Sequence, residues 1–221
     1  MNAARKSLIW DLPTRLFHWV LVVLIALQYA TAEFHFLDMD WHFRFGYATL
    51  ALILFRVLWG VFGSQTSCFR HFVRGPAAVI THVRALLSTN PHVSVGHNPL
   101  GGWSVLVLLL CVAVQVLSGL FASDGIDTDG PFADRVSNAA AQAFTRVHDW
   151  NQNVLLVLIA LHVVAIVLYR VLRNEDLVAA MITGRRAVET PSLRFAGIGR
   201  ALVLFVICAV VVAALILWGT R

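Results

Sequence analysis

The 221-residue chain is too apolar for a soluble globular protein, because 59% of its residues are hydrophobic, 13% are charged and the mean hydropathy is +0.76. Soluble domains have about 45–50% apolar and about 25% charged residues. We therefore predict an integral membrane protein, long enough for four or five membrane-spanning helices. The net charge of +5 does not indicate a nucleic-acid partner, because the charged residues lie between the apolar runs.

Five apolar runs follow one another along the chain, at 16–32, 41–61, 101–122, 148–172 and 201–218. A basic start makes the first run similar to a signal peptide, but His18 lies in its first turn and we predict a retained span. Residues 76–87 are predicted to form a short helix at the membrane interface. The predicted fold is an all-α integral membrane protein, with a four-helix bundle in residues 1–187 and an extension, 188–221, that carries a fifth, accessory span.

The distribution of basic residues predicts the orientation in a bacterial inner membrane. Lysine and arginine are concentrated in the N-terminal segment and in the connections 63–100 and 170–200, whereas the other two connections are acidic. Basic connections remain on the cytoplasmic side. We therefore predict a cytoplasmic N-terminus and, after five spans, a periplasmic C-terminus.

Four of the nine histidines lie in a span or at its mouth. His148 and His162 are 14 positions apart, which on one helix places them within ~40° of the same direction and roughly 21 Å apart. Matching depths pairs His18 with His162 on the inner side and His42 with His148 on the outer side. A pair of imidazoles can hold a flat macrocycle, so we predict two haems b with these four histidines as axial ligands of the iron. Packing roles are the alternative, and zinc would require three or four closely grouped ligands.

Other polar residues lie near these predicted centres. Arg15, Arg44 and Arg56 are candidates to bind haem propionates, although Arg15 and Arg56 could instead extend to lipid headgroups. His97 and Asn98 precede the third span and are candidates to bind a quinone, because they offer hydrogen-bond donors and an imidazole with an unperturbed pKa of ~6.5. A plain turn into the helix is the alternative interpretation. The isolated Cys68, Cys111 and Cys208 argue against a disulfide framework, an iron–sulfur site and covalent haem attachment.

Several motifs together resemble the bacterial cytochrome b-561 and nickel–iron hydrogenase b-subunit family over about residues 8–187. They are residues 10–19 (Trp-Asp-Leu-Pro-Thr-Arg-Leu-Phe-His-Trp), His42 with Gly46, residues 56–60 (Arg-Val-Leu-Trp-Gly), residues 96–99 (Gly-His-Asn-Pro) and the spacing of His148 and His162. The membrane subunits of formate dehydrogenases resemble the same four-helix core. The resemblance implies two b haems held by His18, His42, His148 and His162, quinone exchange near the inner haem and an electron partner on the outer side.

Two histidines on one iron leave no axial position for a substrate, so the predicted function is electron transfer. We predict transfer across the membrane between the quinone pool of a respiratory chain and a periplasmic cytochrome c, hydrogenase or dehydrogenase. Membrane lipid surrounds such a protein, and a homodimer is compatible with the sequence. The alternatives are a stand-alone superoxide:quinone oxidoreductase, which a basic outer entrance would favour, and a non-redox structural or transport protein, which for transport would require paired charges within the spans.

Overall fold

The computed structural model describes residues 6–86, 96–188 and 192–221. Within these ranges eight α-helices are numbered in chain order: α1 Leu12–Phe34, α2 Met39–Phe62, α3 Phe69–Phe72, α4 Pro76–Leu86, α5 Pro99–Gly119, α6 Asn138–Arg173, α7 Leu177–Thr183 and α8 Ile198–Gly219. A 3-10 turn lies at Ala133–Arg135. The helices α1, α2, α5, α6 and α8 are long and apolar enough to cross a membrane. The predicted all-α membrane bundle with five spans is confirmed.

The helix α6 begins ten residues before the predicted start at position 148. Ser137 caps it, because the Ser137 side chain accepts a hydrogen bond from the Ala140 backbone N–H, and the alanines that follow have the highest helix propensity. The predicted start was wrong because it followed hydropathy, and these first turns are only weakly apolar. His148 consequently lies within a continuous helix rather than at its mouth.

The central helix of the bundle is α2, which packs against α1, α5 and α8, while α5 packs against α6. Trp59, in the last turn of α2, is fully buried in the core. On α8, one stripe formed by Ala201, Cys208 and Val212 belongs to the same core, and the ring centroids of Phe205 and Phe55 lie 6.0 Å apart. The rest of α8 is largely exposed, as expected for a lipid-facing helix. The domain boundary at 187/188 stays a prediction.

A small two-stranded sheet connects the start of the bundle to the segment after α7. The sequence pattern did not indicate this sheet. Strand β1 (Lys6–Leu8) pairs antiparallel with β2 (Arg185–Ala187), with Lys6 opposite Ala187. Directly after β1, Ile9 and Trp10 pack against Ala180 of α7. The segment that precedes α1 is thereby fixed to the segment that follows α6.

The two ends of the bundle carry opposite charge. The end at which α1 and α5 begin and α2 ends is here called the basic face, and its described basic residues are Lys6, Arg15, Arg70, Arg74, Arg84, Arg170, Arg173, Arg185, Arg186, Arg194 and Arg200. The opposite end is here called the acidic face, and its acids outnumber its basic residues. The acids are Glu33, Asp38, Asp40, Asp124, Asp127, Asp129, Asp134 and Asp149, and the basic residues are Arg44, Arg135, Arg146 and Arg221. The charge asymmetry predicted from the connections is therefore retained in the folded chain.

Candidate functional site

Near the acidic face, α2 and α6 bring the imidazoles of His42 and His148 together. Their ring centroids are 6.3 Å apart and their planes are inclined by 70°. A separation of this size suits one metal atom between two nitrogens, since metal–imidazole bonds are about 2 Å long. The two histidines predicted as one ligand pair are thus neighbours in the structure.

Main-chain carbonyl groups orient both of these rings. The Nδ1 atom of His42 lies 3.1 Å from the Gln28 carbonyl oxygen on α1, and Nδ1 of His148 lies 2.9 Å from the Gln115 carbonyl oxygen on α5. A carbonyl can only accept, so Nδ1 carries the proton and donates it. The lone pair of Nε2 is then available, which is the tautomer that a metal-binding histidine requires.

The two glutamines whose carbonyl groups anchor the histidine rings, Gln28 and Gln115, belong to the same local motif, which sequence reasoning missed. A hydroxyl residue follows each anchoring glutamine by three positions. The Oγ1 atom of Thr31 lies 2.8 Å from the Gln28 carbonyl oxygen and 3.1 Å from the imidazole Nδ1, and Oγ of Ser118 lies 3.0 Å from the Gln115 carbonyl oxygen and 3.4 Å from its imidazole Nδ1. The recurrence of Gln-x-x-Thr and Gln-x-x-Ser within two apolar spans is the signal that could have indicated the anchors.

Close packing of α5 on α6 fixes His148 further. A Cβ atom at Gly119 would lie 2.9 Å from Cε1 of His148, so the ring lies against the backbone of α5. One turn further along α6, the Asn151 Nδ2 donates to Oε1 of Gln115 at 2.7 Å and to the Cys111 carbonyl at 2.9 Å. These bonds set the register between the two helices and thereby the position of the imidazole.

Toward the basic face, a second group contains His18 of α1 and His162 of α6. The electrostatic interactions of His97 identify its members. Burial, and to a smaller extent the charges of Arg56, His162 and His18, together lower the pKa of His97 to about 3. These residues come from α1, α2, α6 and the turn before α5, so the structure brings together the predicted inner pair, one predicted propionate arginine and one predicted quinone residue.

This second group contains unusually many unpaired nitrogens. Among the described residues, the buried side-chain atoms that have no hydrogen-bond partner are Arg15 Nε, His18 Nδ1, Arg56 Nη1 and His97 Nδ1. Buried polar atoms are almost always paired in folded proteins, so each exception requires an explanation. A bound group that carries carboxylates would supply acceptors for the arginine nitrogens, and haem b carries two.

The guanidinium of Arg56 is only 2% exposed although α2 crosses the apolar layer. Its carbon lies 5.0 Å from the ring centroid of Phe69 and 6.0 Å from that of Phe17. The carboxylate of Asp11 attracts it electrostatically, and Asp11 itself accepts a 3.0 Å hydrogen bond from Trp59 Nε1. Asp11 is the N-cap of α1 and lies outside every predicted span.

The other two arginine candidates have different surroundings. Arg15 donates from Nη1 to the Ile182 carbonyl at the end of α7, and its buried Nε has no partner. Arg44 is exposed, and its guanidinium carbon lies 4.8 Å from the ring centroid of Trp41. Arg56 is therefore the candidate whose surroundings most need an anionic partner.

The two quinone candidates in the turn before α5 have different surroundings. Asn98 caps the helix, because its Oδ1 accepts from the Gly101 N–H at 2.7 Å, and its Nδ2 donates to Tyr169 Oη at 2.6 Å. His97 packs between Trp10 and Phe72, at centroid distances of 4.6 and 4.7 Å. With its pKa lowered to about 3, this imidazole is neutral at pH 7, so the proton exchange expected from an unperturbed histidine is not supported.

The donor set suits a haem better than a free metal ion. Within the described ranges, no three or more His, Cys, Asp or Glu side chains gather into a group that could hold a metal ion. Each candidate site offers two imidazoles, the number of axial ligands that a haem iron takes. The residues present therefore fit haem b.

The family model described as prokaryotic cytochrome b561 matches residues 9–184, which contain both histidine pairs. The match begins just before the N-cap of α1 and ends at Gly184, the C-cap of α7. Comparisons with curated proteins and with solved structures give no match. A cytochrome of this type binds haem b and transfers electrons, here in a multi-pass membrane protein. The chain belongs to the prokaryotic cytochrome b561 family.

Proposed function

We propose that the protein transfers electrons across the bacterial inner membrane through two bis-histidine haems b, between the quinone pool and a periplasmic redox partner. The observation that carries the proposal is the presence of two histidine groups near opposite ends of one bundle. On the continuous helix α6, His148 and His162 are separated by roughly 21 Å along the axis, most of a ~30 Å hydrocarbon layer. Two carriers at these depths divide the crossing into short steps.

At the acidic face, His42 and His148 are the proposed axial ligands. A haem b held by two imidazoles supplies a one-electron carrier with no free axial position. The chain's own contribution is orientation: the carbonyls of Gln28 and Gln115 keep Nδ1 protonated and leave Nε2 as the ligand atom. The rings then need little rearrangement when the iron changes oxidation state.

At the basic face, His18 and His162 are the proposed axial ligands and Arg56 is the proposed propionate partner. Arginine offers a planar fork of donors that matches a carboxylate. The unpaired Nη1 of Arg56 and Nε of Arg15 supply such donors without breaking an existing hydrogen bond. A buried cation near this centre also favours its reduced form, because reduction lowers the positive charge on the iron.

A quinone is proposed to bind beside the turn 96–102, on the same face as the second pair. His97 has an unpaired ring nitrogen there and its neutral imidazole offers one donor and one acceptor. The donor of Asn98 is already used on Tyr169, so His97 is the principal candidate. The proton for quinone chemistry then comes from a group other than His97.

The charges of the two faces support the proposed orientation and partner. A basic face belongs on the cytoplasmic side, which places the acidic face in the periplasm. An acidic entrance attracts a basic redox protein and repels the superoxide anion, so the charge pattern disfavours the superoxide:quinone oxidoreductase. The exposed apolar side of α8 is compatible with lipid or with a second copy of the chain.

The experiment follows haem reoxidation by quinone in full-length protein reconstituted into liposomes. The double variant His97→Ala/Asn98→Ala should slow reoxidation while both haem bands persist. Asn98→Ser is the control for helix capping, because serine is also a good N-cap, and it should reoxidise at the normal rate. Unchanged turnover in the double variant would move the quinone site to the acidic face, and failure of quinone to oxidise the wild-type haems would contradict the proposed function.

A further inference from the structure

An open groove on the basic face lies between the end of α2 and the start of α8. Two adjoining cavities of ≈ 530 and ≈ 590 Å³ form it and share Gly63, Cys68, Arg70 and Arg200. One end is apolar and is lined by Val61, Phe62 and Leu204. The other end is polar and includes His71 and Arg194.

The polar end of the groove carries uncompensated positive charge. No aspartate or glutamate lines either cavity, and the salt bridges formed by the described residues do not involve Arg70, Arg194 or Arg200. Arg200 donates from one nitrogen to the Phe62 carbonyl, and Nε of Arg70 donates to the neighbouring His71. Among the residues that the structure describes, the remaining N–H groups of these two side chains have no acceptor.

Hydrogen bonds connect the main chain at Arg194 to the loop that follows α2. The Arg194 N–H donates to Oε1 of Gln65 at 3.1 Å, and the Gln65 N–H donates to the Arg194 carbonyl at 2.9 Å. The Ala196 N–H donates to Oγ of Ser64, a residue that is 1% exposed. The segment before α8, which carries Arg194, is thus fixed to the loop after α2.

We infer that this groove binds an anionic phospholipid. Both helix ends lie where a span leaves the hydrocarbon layer, which is the level of the lipid headgroups. The three arginines match a phosphate headgroup, and the exposed Val61 and Phe62 side chains continue the groove along α2 as a surface for acyl chains. Basic pockets between spans at the cytoplasmic side are typical sites for such headgroups. The inference rests on the proposed orientation of the basic face, and not on the haem or the quinone proposals.

Native mass spectrometry of the purified full-length protein, incubated with cardiolipin or with phosphatidylcholine, tests the inference. Wild type should retain cardiolipin and not phosphatidylcholine. The variant Arg70→Gln/Arg194→Gln/Arg200→Gln should retain about tenfold less cardiolipin or lower still, since each arginine near an anionic membrane contributes substantially to binding. The control Arg74→Gln/Arg84→Gln/Arg185→Gln removes the same charge from the same face and should bind as wild type does.

Several results would overturn the inference. Equal losses in both triple variants would mean that only the overall surface charge matters, and equal retention of both lipids would exclude a headgroup site. Displacement of the lipid by inorganic phosphate would show that the acyl chains contribute nothing. If the groove variant does not fold, Arg194→Gln alone provides the test, because this exposed side chain should account for about a fivefold loss, and unchanged retention would contradict the site.

Discussion

The two histidine groups contain the same type of ligand in different surroundings. Near the acidic face, His42 and His148 each direct Nδ1 at a main-chain carbonyl and lie 6.3 Å apart. Near the basic face, His18 has no partner for Nδ1, and Arg56 of the same group has an unpaired Nη1. The first site is organised by the protein alone, whereas the second has unpaired donors that a bound anionic group would satisfy.

This difference indicates how one fold can make two similar carriers unequal. Carbonyl hydrogen bonds increase the basicity of an imidazole ligand and stabilise the oxidised iron. Buried cations have the opposite effect and stabilise the reduced iron. We therefore expect the centre near the basic face to have the higher reduction potential. Electrons that enter from either side would then meet two haems that differ in their affinity for an electron.

The largest expected effect comes from the histidines themselves. Alanine at position 18 or 162 should remove the haem near the basic face, and alanine at 42 or 148 should remove the other, because each change leaves one axial ligand. The pyridine haemochrome assay should fall from two haems per chain to about one in every variant. His71→Ala, an exposed histidine outside both groups, should keep two. If His18→Ala and His42→Ala remove the same redox component, the pairing is wrong.

A change in packing should affect only the acidic-face site. In Gly119→Val the new side chain would meet the His148 ring, which lies 2.9 Å from a Cβ at that position. Displacing an oriented ligand typically costs 10–100-fold in affinity. We expect partial loss of that haem in purified protein and full retention of the other. Gly199→Val is the control, because a Cβ there meets no atom within 4 Å.

Replacing an arginine should change the midpoint potential of one haem without changing the number of haems bound. Arg56→Gln should lower the midpoint potential of the basic-face haem, by about 60 mV if the preference for the reduced state falls tenfold. Arg44→Gln, which removes an exposed cation near the other end, should shift neither potential appreciably. A redox titration of both variants measures this. A shift of the acidic-face component in Arg56→Gln would contradict the location of the charge.

The smallest effect on the haems is expected from removing α8. Truncation after Thr190, which lies outside the described residues, should leave both haems bound, because the proposed ligands belong to α1, α2 and α6. The truncated protein should be less stable, since Ala201, Cys208 and Val212 leave the core around α2. Haem content and the thermal midpoint of the membrane-inserted protein measure the two effects. Loss of either haem from a folded truncation would show that α8 supports a site.

Hydropathy and helical spacing were sufficient to predict the five spans and to bring the histidines of matching depth together, because both properties depend on local sequence. They did not predict contacts between distant segments. The pairing of Lys6 with Ala187, the carbonyl anchors at Gln28 and Gln115, and the neighbourhood of Asp11 and Arg56 depend on how the helices pack. The low pKa of His97 likewise results from burial, which its sequence position among glycines and a proline does not indicate.

The central claim is that two haems b lie in this bundle, each between two histidines. The electron paramagnetic resonance spectrum of the oxidised full-length protein tests it most directly, because the spin state of ferric haem reports the axial ligands. We predict two low-spin ferric species, one absent in His148→Ala and the other absent in His162→Ala. A high-spin signal in the intact protein, or a single low-spin species in a fully haem-loaded sample, would contradict the account.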